Sequence, residues 1–208
     1  DIHYTLDGTE PTAQSPKYTE PLKIKTDCTL KALAVRPSGN SRMFTEKINL
    51  NKATLKGITL LQPSYKQYTF KGAPMLGEGL QGNANYKTGR WIAFYGNDME
   101  AVVDMQQPTE ISKAAIAACV EKGDWIFDAR GFAVEVSEDG EHYTRVAAEE
   151  YPAMKKEDPN GVITHQLTFD PVKARYVKLI AKSERQIPAW HGGKGKLGFL
   201  FVDEIVLN

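Results

Sequence analysis

The stretch WIFDARGFAVEVSEDGEHY, residues 125–143, decides the fold class of this chain. Apolar and polar residues alternate over 132–137, which is typical of a β-strand with one buried face. The Asp-Gly pair at 139–140 follows at once, and such a pair between alternating runs is a short-range signal of a β-hairpin. A strand that turns directly into a second strand predicts an antiparallel sheet.

The same pattern recurs on both sides of this stretch. Alternation is found over 99–105, over 175–181 and over 199–207, each run being bounded by turn-forming residues. Many short strands separated by turns predict an all-β domain, either a sandwich or a jelly roll.

One segment disagrees with the all-β pattern. Ile111–Cys119 is rich in alanine and has helical composition, and the preceding Pro108-Thr109 would start a helix well. The segment lies between two β-patterned runs, however, and local propensity is a weak guide when the surroundings favour a sheet. We therefore predict a strand.

Residues 1–50 form a separate pattern of short alternating runs and turns. Asp7-Gly8 ends the first run, 29–35 alternates, and Pro37–Asn40 is a turn. The sequence thus predicts a small antiparallel β-module at 1–50, followed by a sandwich at 51–208.

Composition excludes several classes of partner. Lys+Arg and Asp+Glu both number 26, so the basic excess of a nucleic-acid-binding protein is absent. No apolar run approaches the roughly 18 residues that a membrane-spanning helix needs, so we expect no membrane insertion. The two cysteines, Cys28 and Cys119, are too few and too far apart for a disulfide framework.

Two groups of motifs carry a family resemblance. IHYTLDGTEPTAQSPKYTEPLKI (2–24) resembles the β-module that follows the catalytic barrel of bacterial family-20 β-N-acetylhexosaminidases, with its first strand missing. GEGLQGNANYKTGRW (77–91), ARYVKLIA (174–181) and LFVDEIVL (200–207), together with 125–143, resemble a coagulation factor 5/8 type C, or discoidin-like, domain. The resemblance implies a discoidin-like jelly-roll sandwich preceded by a small Ig-like module.

The resemblance also implies a function. The chain would be a non-catalytic, carbohydrate-binding tail of a secreted bacterial β-N-acetylhexosaminidase, located in the periplasm, at the cell surface or outside the cell. Its partners would be the terminal sugars of glycans and the enzyme's own catalytic domain upstream. The alternative is a structural module that packs on the catalytic barrel or mediates dimerisation, without a sugar site.

No catalytic residue is expected within the chain. Asp203 and Glu204 are the only adjacent acids in the closing strand pattern, and neighbours on a strand point to opposite faces. Two such carboxylates cannot flank one glycosidic bond, as a hydrolytic pair must.

A sugar site needs an exposed aromatic face beside fixed polar groups. Trp190-His191, between Pro188 and a Gly-Gly pair, is the first candidate. The alternative is that Trp190 packs over the end of the sandwich while His191 ties down a loop. Trp91 is assigned to the core, because the matching position of the family begins a buried strand.

Two further candidates lie elsewhere. Trp125 and Arg130 lie in the first part of the stretch quoted above, and we expect them to reach the same end of the sandwich. The alternative is that Trp125 belongs to the core and Arg130 pairs with Asp128. Tyr86, in the Asn-rich loop, is the third candidate for sugar binding.

The resemblance further implies a structural calcium ion beneath the ligand loops. Calcium takes six to eight oxygen ligands, many of them backbone carbonyls. The matching loop here is 76–83, so that Glu78 and Asn83 would be ligands together with Glu204 from the last strand. Where the family usually has Asp-Gly, this chain has Glu78-Gly79. The longer side chain of glutamate changes the distance at which its carboxylate could reach the ion.

Overall fold

The computed structural model describes residues 1–208. The chain divides into two compact units, of which the first comprises 1–50 with 79–81 and the second comprises 51–78 with 82–208. Both are built from antiparallel strands, and the all-β prediction is confirmed. The strands are β1 (Ile2–Thr5), β2 (Cys28–Ala34), β3 (Phe44–Ile48), β4 (Gly57–Leu60), β5 (Ile92–Tyr95), β6 (Met99–Val120), β7 (Gly131–Ser137), β8 (Thr144–Glu150), β9 (Gly161–Lys182) and β10 (Phe199–Leu207).

Helical structure is confined to four short 3₁₀ segments, Lys66–Tyr68, Ala73–Gly77, Tyr86–Thr88 and Lys122–Asp124. None of them is long and apolar enough to cross a membrane.

The first unit contains a three-stranded sheet in the order β1-β2-β3. Asp7 closes the turn after β1, since its Oδ1 accepts the backbone N–H of Thr9 at 3.0 Å. This local bond is the reason that aspartate is favoured in turns.

The second unit is organised by β6 and β9, which have 22 residues each. The first part of β6 pairs with β4 and with the C-terminal part of β9, whereas its second part pairs with β10 and with the N-terminal part of β9. Register shifts between Asp104 and Thr109, with Gln106 at φ 69°, separate the two parts. Such irregularities bend strands, so one pair of strands contributes to both layers of the sandwich.

Ile111–Cys119 lies within β6, so the strand prediction is confirmed. Ala114, Ile116 and Ala118 pack into the main core, while Cys119 on the opposite face packs into a second cluster. Small side chains let both faces of the strand be covered closely. Tertiary packing has therefore overridden the helical composition.

Trp91 is fully buried in the second cluster, as predicted. Its indole Nε1 donates to the carbonyl of Asn83 at 3.0 Å. Gly82 lies against the ring so closely that a Cβ there would stand 2.3 Å from it, which explains why this position holds a glycine. The loop that resembles the family's ligand-proximal loop is thus pinned to the sandwich by a core tryptophan.

Candidate functional site

Two loops meet where β10 begins. The backbone N–H of Phe199 donates to the carbonyl of Trp125 at 2.8 Å, and the N–H of Phe127 donates to the carbonyl of Phe199 at 3.0 Å. These bonds hold the loop 121–130 against the loop 183–198. Residues far apart in sequence are therefore brought to one end of the second unit.

The two loops place three predicted residues together: Trp125, Trp190 and His191, which we call the loop-end cluster. The ring centroid of His191 lies 5.5 Å from that of Trp190 and 6.5 Å from that of Trp125. All three side chains are partly exposed. The arrangement brings the first candidate, Trp190 and His191, together with Trp125 of the second candidate.

His191 is held by both of its ring nitrogens. Nδ1 accepts the backbone N–H of Gly193 at 3.0 Å, so Nε2 carries the hydrogen and donates it to the carbonyl of Lys122 at 2.9 Å. The imidazole therefore ties one loop to the other, which was the alternative considered for this residue. His191 can contribute to a ligand surface through its ring, which also packs against both tryptophans.

Trp190 is anchored at its edge, and it is partly buried against a third core cluster, as the alternative for this residue expected. Its indole Nε1 donates to the carbonyl of Met154 at 2.9 Å, and the ring packs beside Phe127, whose centroid lies 6.3 Å away. The ammonium of Lys122 stands 5.7 Å from the ring centroid. An indole fixed in this way loses little side-chain freedom when a ligand binds.

Trp125 is fixed by its backbone. It occupies the left-handed region at φ 66° and ψ 23°, where it ends the short helix Lys122–Asp124. Gly193 packs on the indole, so that a Cβ there would stand 3.1 Å from the ring, and the ammonium of Lys196 lies 5.3 Å from the ring centroid. A non-glycine residue in this backbone region is uncommon, which makes the loop geometry specific.

Arg130 lies in a different environment from the loop-end cluster. Its Nη1 donates to both carboxylate oxygens of the buried Glu184, at 3.2 and 2.9 Å, and its Nε donates to the carbonyl of Tyr151 at 3.1 Å. The expected alternative partner, Asp128, instead contacts Nε2 of His165 at 2.6 Å. The guanidinium is therefore fixed and charge-compensated.

The guanidinium of Arg130 borders a polar cavity of about 250 Å³. The residues that line this polar cavity are Asp98, Arg130, Lys182, Ser183, Glu184, Arg185 and Gln186. The tryptophans do not line it. The cavity and Trp190 share the loop 183–198, whose two ends are joined by the N–H of Gly198 donating to the carbonyl of Glu184 at 3.1 Å.

Tyr86 is buried, with 8% of its surface exposed. Its hydroxyl donates to Oδ2 of Asp124 at 2.6 Å, while its ring packs edge-on against Tyr68 and Phe201. Burial, and then the bond to Asp124, raise the pKa of Tyr86. The side chain therefore supports the residue preceding Trp125 and does not offer a ring face to solvent.

Two of the three residues predicted to hold calcium, Glu78 and Asn83, have other partners in this arrangement. The carboxylate of Glu78 is paired with Nη1 of Arg90 at 3.2 Å and with Nζ of Lys71 at 3.5 Å. The side-chain oxygen of Asn83 accepts the backbone N–H of Asn85, and no three His, Cys, Asp or Glu side chains come together. Two cationic side chains beside Glu78 oppose a divalent cation at the same carboxylate.

The acids of the closing strand are both buried, Asp203 with 2% and Glu204 with 1% of its surface exposed. Oδ2 of Asp203 accepts the N–H of Gly82 at 2.9 Å, which joins β10 to the loop before Trp91. Burial raises the pKa of Asp203 to about 6. Neither side chain faces solvent, and the carboxylate of Asp203 holds the loop before Trp91.

Sequence reasoning missed one group of aromatic side chains. Tyr65, Tyr95 and Phe199, which we call the aromatic edge, have ring centroids 4.6 Å (Tyr95 to Phe199), 5.1 Å (Tyr65 to Phe199) and 5.7 Å (Tyr65 to Tyr95) apart. Tyr95 is 37% exposed although it ends a strand whose other residues are buried. The sequence signal that could have indicated this group is an aromatic residue at the end of an apolar strand.

Two family models match the chain. One described as F5/8 type C domain matches residues 75–196, and one described as Fn3 associated matches residues 1–48. No curated protein sequence is significantly similar to the chain.

Several solved structures are similar to the chain at low sequence identity. The lectin domain of lectinolysin, complexed with Lewis B antigen, is 16% identical with a TM-score of 0.50, over 76% of this chain and 95% of that one. CpGH89CBM32-6, produced by Clostridium perfringens, is 15% identical with a TM-score of 0.47, over 76% and 98% of the two chains. CpGH89CBM32-5 from the same organism, in complex with GalNAc-β-1,3-galactose, is 16% identical with a TM-score of 0.46, over 73% and 93%.

Proposed function

Since the chain belongs to the F5/8 type C domain family, we propose that it is a carbohydrate-binding module that recognises glycans through the loops at the start of β10. The observation that carries the proposal is the loop-end cluster, in which Trp125 and Trp190 are partly exposed and held at fixed positions. Sugars present apolar C–H faces that pack on aromatic rings, and a rigid ring loses little entropy when it binds.

Polar groups on the same two loops supply the second requirement of a sugar site. Arg130, fixed by Glu184, lines the polar cavity, and charged donors make the stronger hydrogen bonds to hydroxyl groups. The arrangement supports recognition by contact and hydrogen bonding, without a reacting group. Weak affinity for a single sugar would suffice, because attachment to an enzyme raises the effective concentration of ligand.

A glycan array tests the proposal. It should include Lewis b and GalNAc-β-1,3-galactose, the ligands of two similar structures, beside glycans that end in N-acetylglucosamine. We expect binding that is lost in Trp125→Ala and in Trp190→Ala, with folding of each variant checked by circular dichroism. Absence of binding across a broad array would overturn the proposal.

We propose further that the parent protein is a secreted bacterial β-N-acetylhexosaminidase and that this chain is its non-catalytic tail. The support is the sequence of residues 2–24, which resembles the module next to the catalytic barrel of such enzymes. The partner in the parent chain would then be its own catalytic domain, and the location periplasmic, surface-bound or extracellular. The genomic sequence upstream of Asp1 tests this directly, since an encoded barrel with an adjacent Asp-Glu pair is expected there.

A second candidate function is a packing module, favoured by one observation in the first unit. An apolar groove of about 560 Å³ is lined by Ile2, Tyr18 and Phe44 among others, and these three side chains are 45–51% exposed. Exposed apolar surface of this kind marks interaction sites. Loss of stability of the parent enzyme on Phe44→Ser, with glycan binding unaffected, would support packing; an unchanged melting temperature would oppose it.

A further inference from the structure

The two tryptophans of the loop-end cluster each have an ammonium group over the ring. Nζ of Lys122 stands 5.7 Å from the ring centroid of Trp190, and Nζ of Lys196 stands 5.3 Å from that of Trp125. Contacts of this kind are weak at exposed positions, so a lysine that nothing else holds can leave the ring. The other bonds of each lysine therefore decide whether its ammonium is available to a ligand.

Lys122 is held by several further bonds. Its ammonium donates to the carbonyl of Lys156 at 2.9 Å and also to the carbonyl of Asp158. Its backbone N–H donates to Oδ1 of Asn160 at 3.2 Å. The ammonium of Lys122 is thus occupied by protein oxygens, and it stays beside Trp190.

Lys196 is held by its backbone alone. Its N–H donates to the carbonyl of Gly193 at 3.1 Å, and its own carbonyl accepts the N–H of Ile187 at 2.9 Å. The residue is exposed, and its ammonium makes no hydrogen bond and has no carboxylate within 4.0 Å. A flexible side chain therefore carries a free cation from a fixed backbone position next to Trp125.

The unpaired charges of the two loops are positive. Lys194, two residues before Lys196, is likewise exposed and has no carboxylate within 4.0 Å. The acidic side chains of the same loops all have hydrogen-bond partners, namely Glu121 with Asn160, Asp124 with Tyr86, Asp128 with His165 and Glu184 with Arg130. The charge that these loops leave available to a ligand is therefore cationic.

We propose, resting on the proposed function, that the sugar unit bound at Trp125 is anionic and that Lys196 is the residue that selects it. The sugar packs its C–H face on the indole and displaces the ammonium from the ring. The ammonium then pairs with the carboxylate or sulfate group of the sugar, and such charge-assisted hydrogen bonds are about twice as strong as neutral ones. A neutral sugar displaces the same ammonium and gives it no anion in return.

Titration calorimetry on the full chain tests the proposal with two series of probes. One series is galactose, galacturonic acid and galactose 6-sulfate, and the other is glucose, glucuronic acid and glucose 6-sulfate. In the series that binds, we expect an anionic member to bind about tenfold more tightly than its neutral parent, since a hydrogen bond to a charged group contributes on that order. Comparison of the uronic acid with the sulfate identifies which anion is preferred. The advantage should shrink in high sodium chloride, because salt screens exposed charges.

Variants of Lys196 test the residue itself. Lys196→Met keeps the length of the side chain and should abolish the preference for the anion, while affinity for the neutral sugar is unchanged or raised. Lys196→Arg should restore the preference, which loss of a merely structural side chain would not predict. Lys173→Met, at an exposed lysine of β9, is the matched control and should change neither affinity. Melting temperatures of the three variants confirm that each is folded.

The outcomes separate this proposal from the one it rests on. Equal affinity for neutral and anionic sugars, with binding still lost in Trp125→Ala, would overturn the anionic preference and leave the carbohydrate-binding function standing. A preference that persists undiminished in Lys196→Met would overturn the role of Lys196. Absence of binding to all six probes would overturn this proposal alone if the array shows binding, and both proposals if the array is silent.

Discussion

His191 joins two loops that are 69 residues apart in sequence, because its Nε2 donates to the carbonyl of Lys122 at 2.9 Å. The same ring accepts the N–H of Gly193 at its other nitrogen. His191, which the sequence predicts as a ligand contact, therefore holds the two loops of the candidate site together.

We predict that His191→Ala lowers the free energy of unfolding by about 1–2 kcal/mol, since two hydrogen bonds are lost at a partly buried position. Glycan affinity should fall as well, because Trp125 and Trp190 lose their common neighbour. Urea unfolding followed by fluorescence measures the first effect and calorimetry the second. His142→Ala, at an exposed histidine, is the control; an equal loss of stability in both variants would contradict the role assigned to His191.

Gly82→Ala should be strongly destabilising. The added methyl group would stand 2.3 Å from the ring of Trp91, and the ring is fully buried, so the core must shift to admit it. Overpacking of this kind costs about 1–3 kcal/mol. Gly192→Ala is the matched control, because nothing lies within 4 Å of its Cβ position. Thermal unfolding of the two variants side by side gives the comparison, and similar melting temperatures would refute the packing argument.

Asp203 should make stability depend on pH. Burial raises the pKa of Asp203 to about 6 from 3.8, so between these values the folded chain binds more protons than the unfolded one. The contribution of this carboxyl group to stability is therefore greatest below pH 4 and is lost as pH rises through about 6. Other groups titrate in the same range, so the informative quantity is the difference between the original chain and Asp203→Asn.

That difference should change between pH 4 and 6 and be constant above about 7. Urea unfolding at half-unit pH intervals measures it. A difference that does not vary with pH would show that the carboxyl group does not titrate in the folded state over this range.

Calcium should have no effect on thermal stability. Arg90 and Lys71 already neutralise Glu78, the first of the expected ligands. We expect the same melting temperature in millimolar calcium and in excess chelator, and no calcium in the purified protein by elemental mass spectrometry. Arg90→Gln should lower the melting temperature because it leaves the carboxylate of Glu78 with a weaker partner. A rise of several degrees with calcium would show that the ion displaces these side chains.

The strands of the second unit were predictable because alternation of apolar and polar residues reports which face is buried. The run 132–137 and the closing run 199–207 both became strands, β7 and β10. Ile111–Cys119 was correctly assigned only from its position between β-patterned runs, since its own composition favours a helix. Trp91 was placed in the core through the family resemblance.

Whether a predicted site residue is exposed depends on tertiary contacts, which local sequence patterns do not report. Tyr86 and Trp190 are both loop aromatics in the sequence, yet Tyr86 is buried against Phe201 and Tyr68 while Trp190 remains partly exposed. Arg130 forms an ion pair with Glu184, 54 residues away in sequence, and not with its neighbour Asp128. Such choices depend on which loops the sheet order brings together.

The sequence by itself determined the fold class, and it named the aromatic and cationic residues from which the proposed glycan site would be built. It did so because strand periodicity and turn chemistry are local properties of the chain. Only the tertiary structure decided that both ring nitrogens of His191 bond to loop backbone, that Arg90 and Lys71 pair with Glu78, and that Tyr65, Tyr95 and Phe199 pack together. Those outcomes depend on hydrogen bonds and ring contacts between residues distant in sequence, which exist only once β5, β6 and β10 lie side by side.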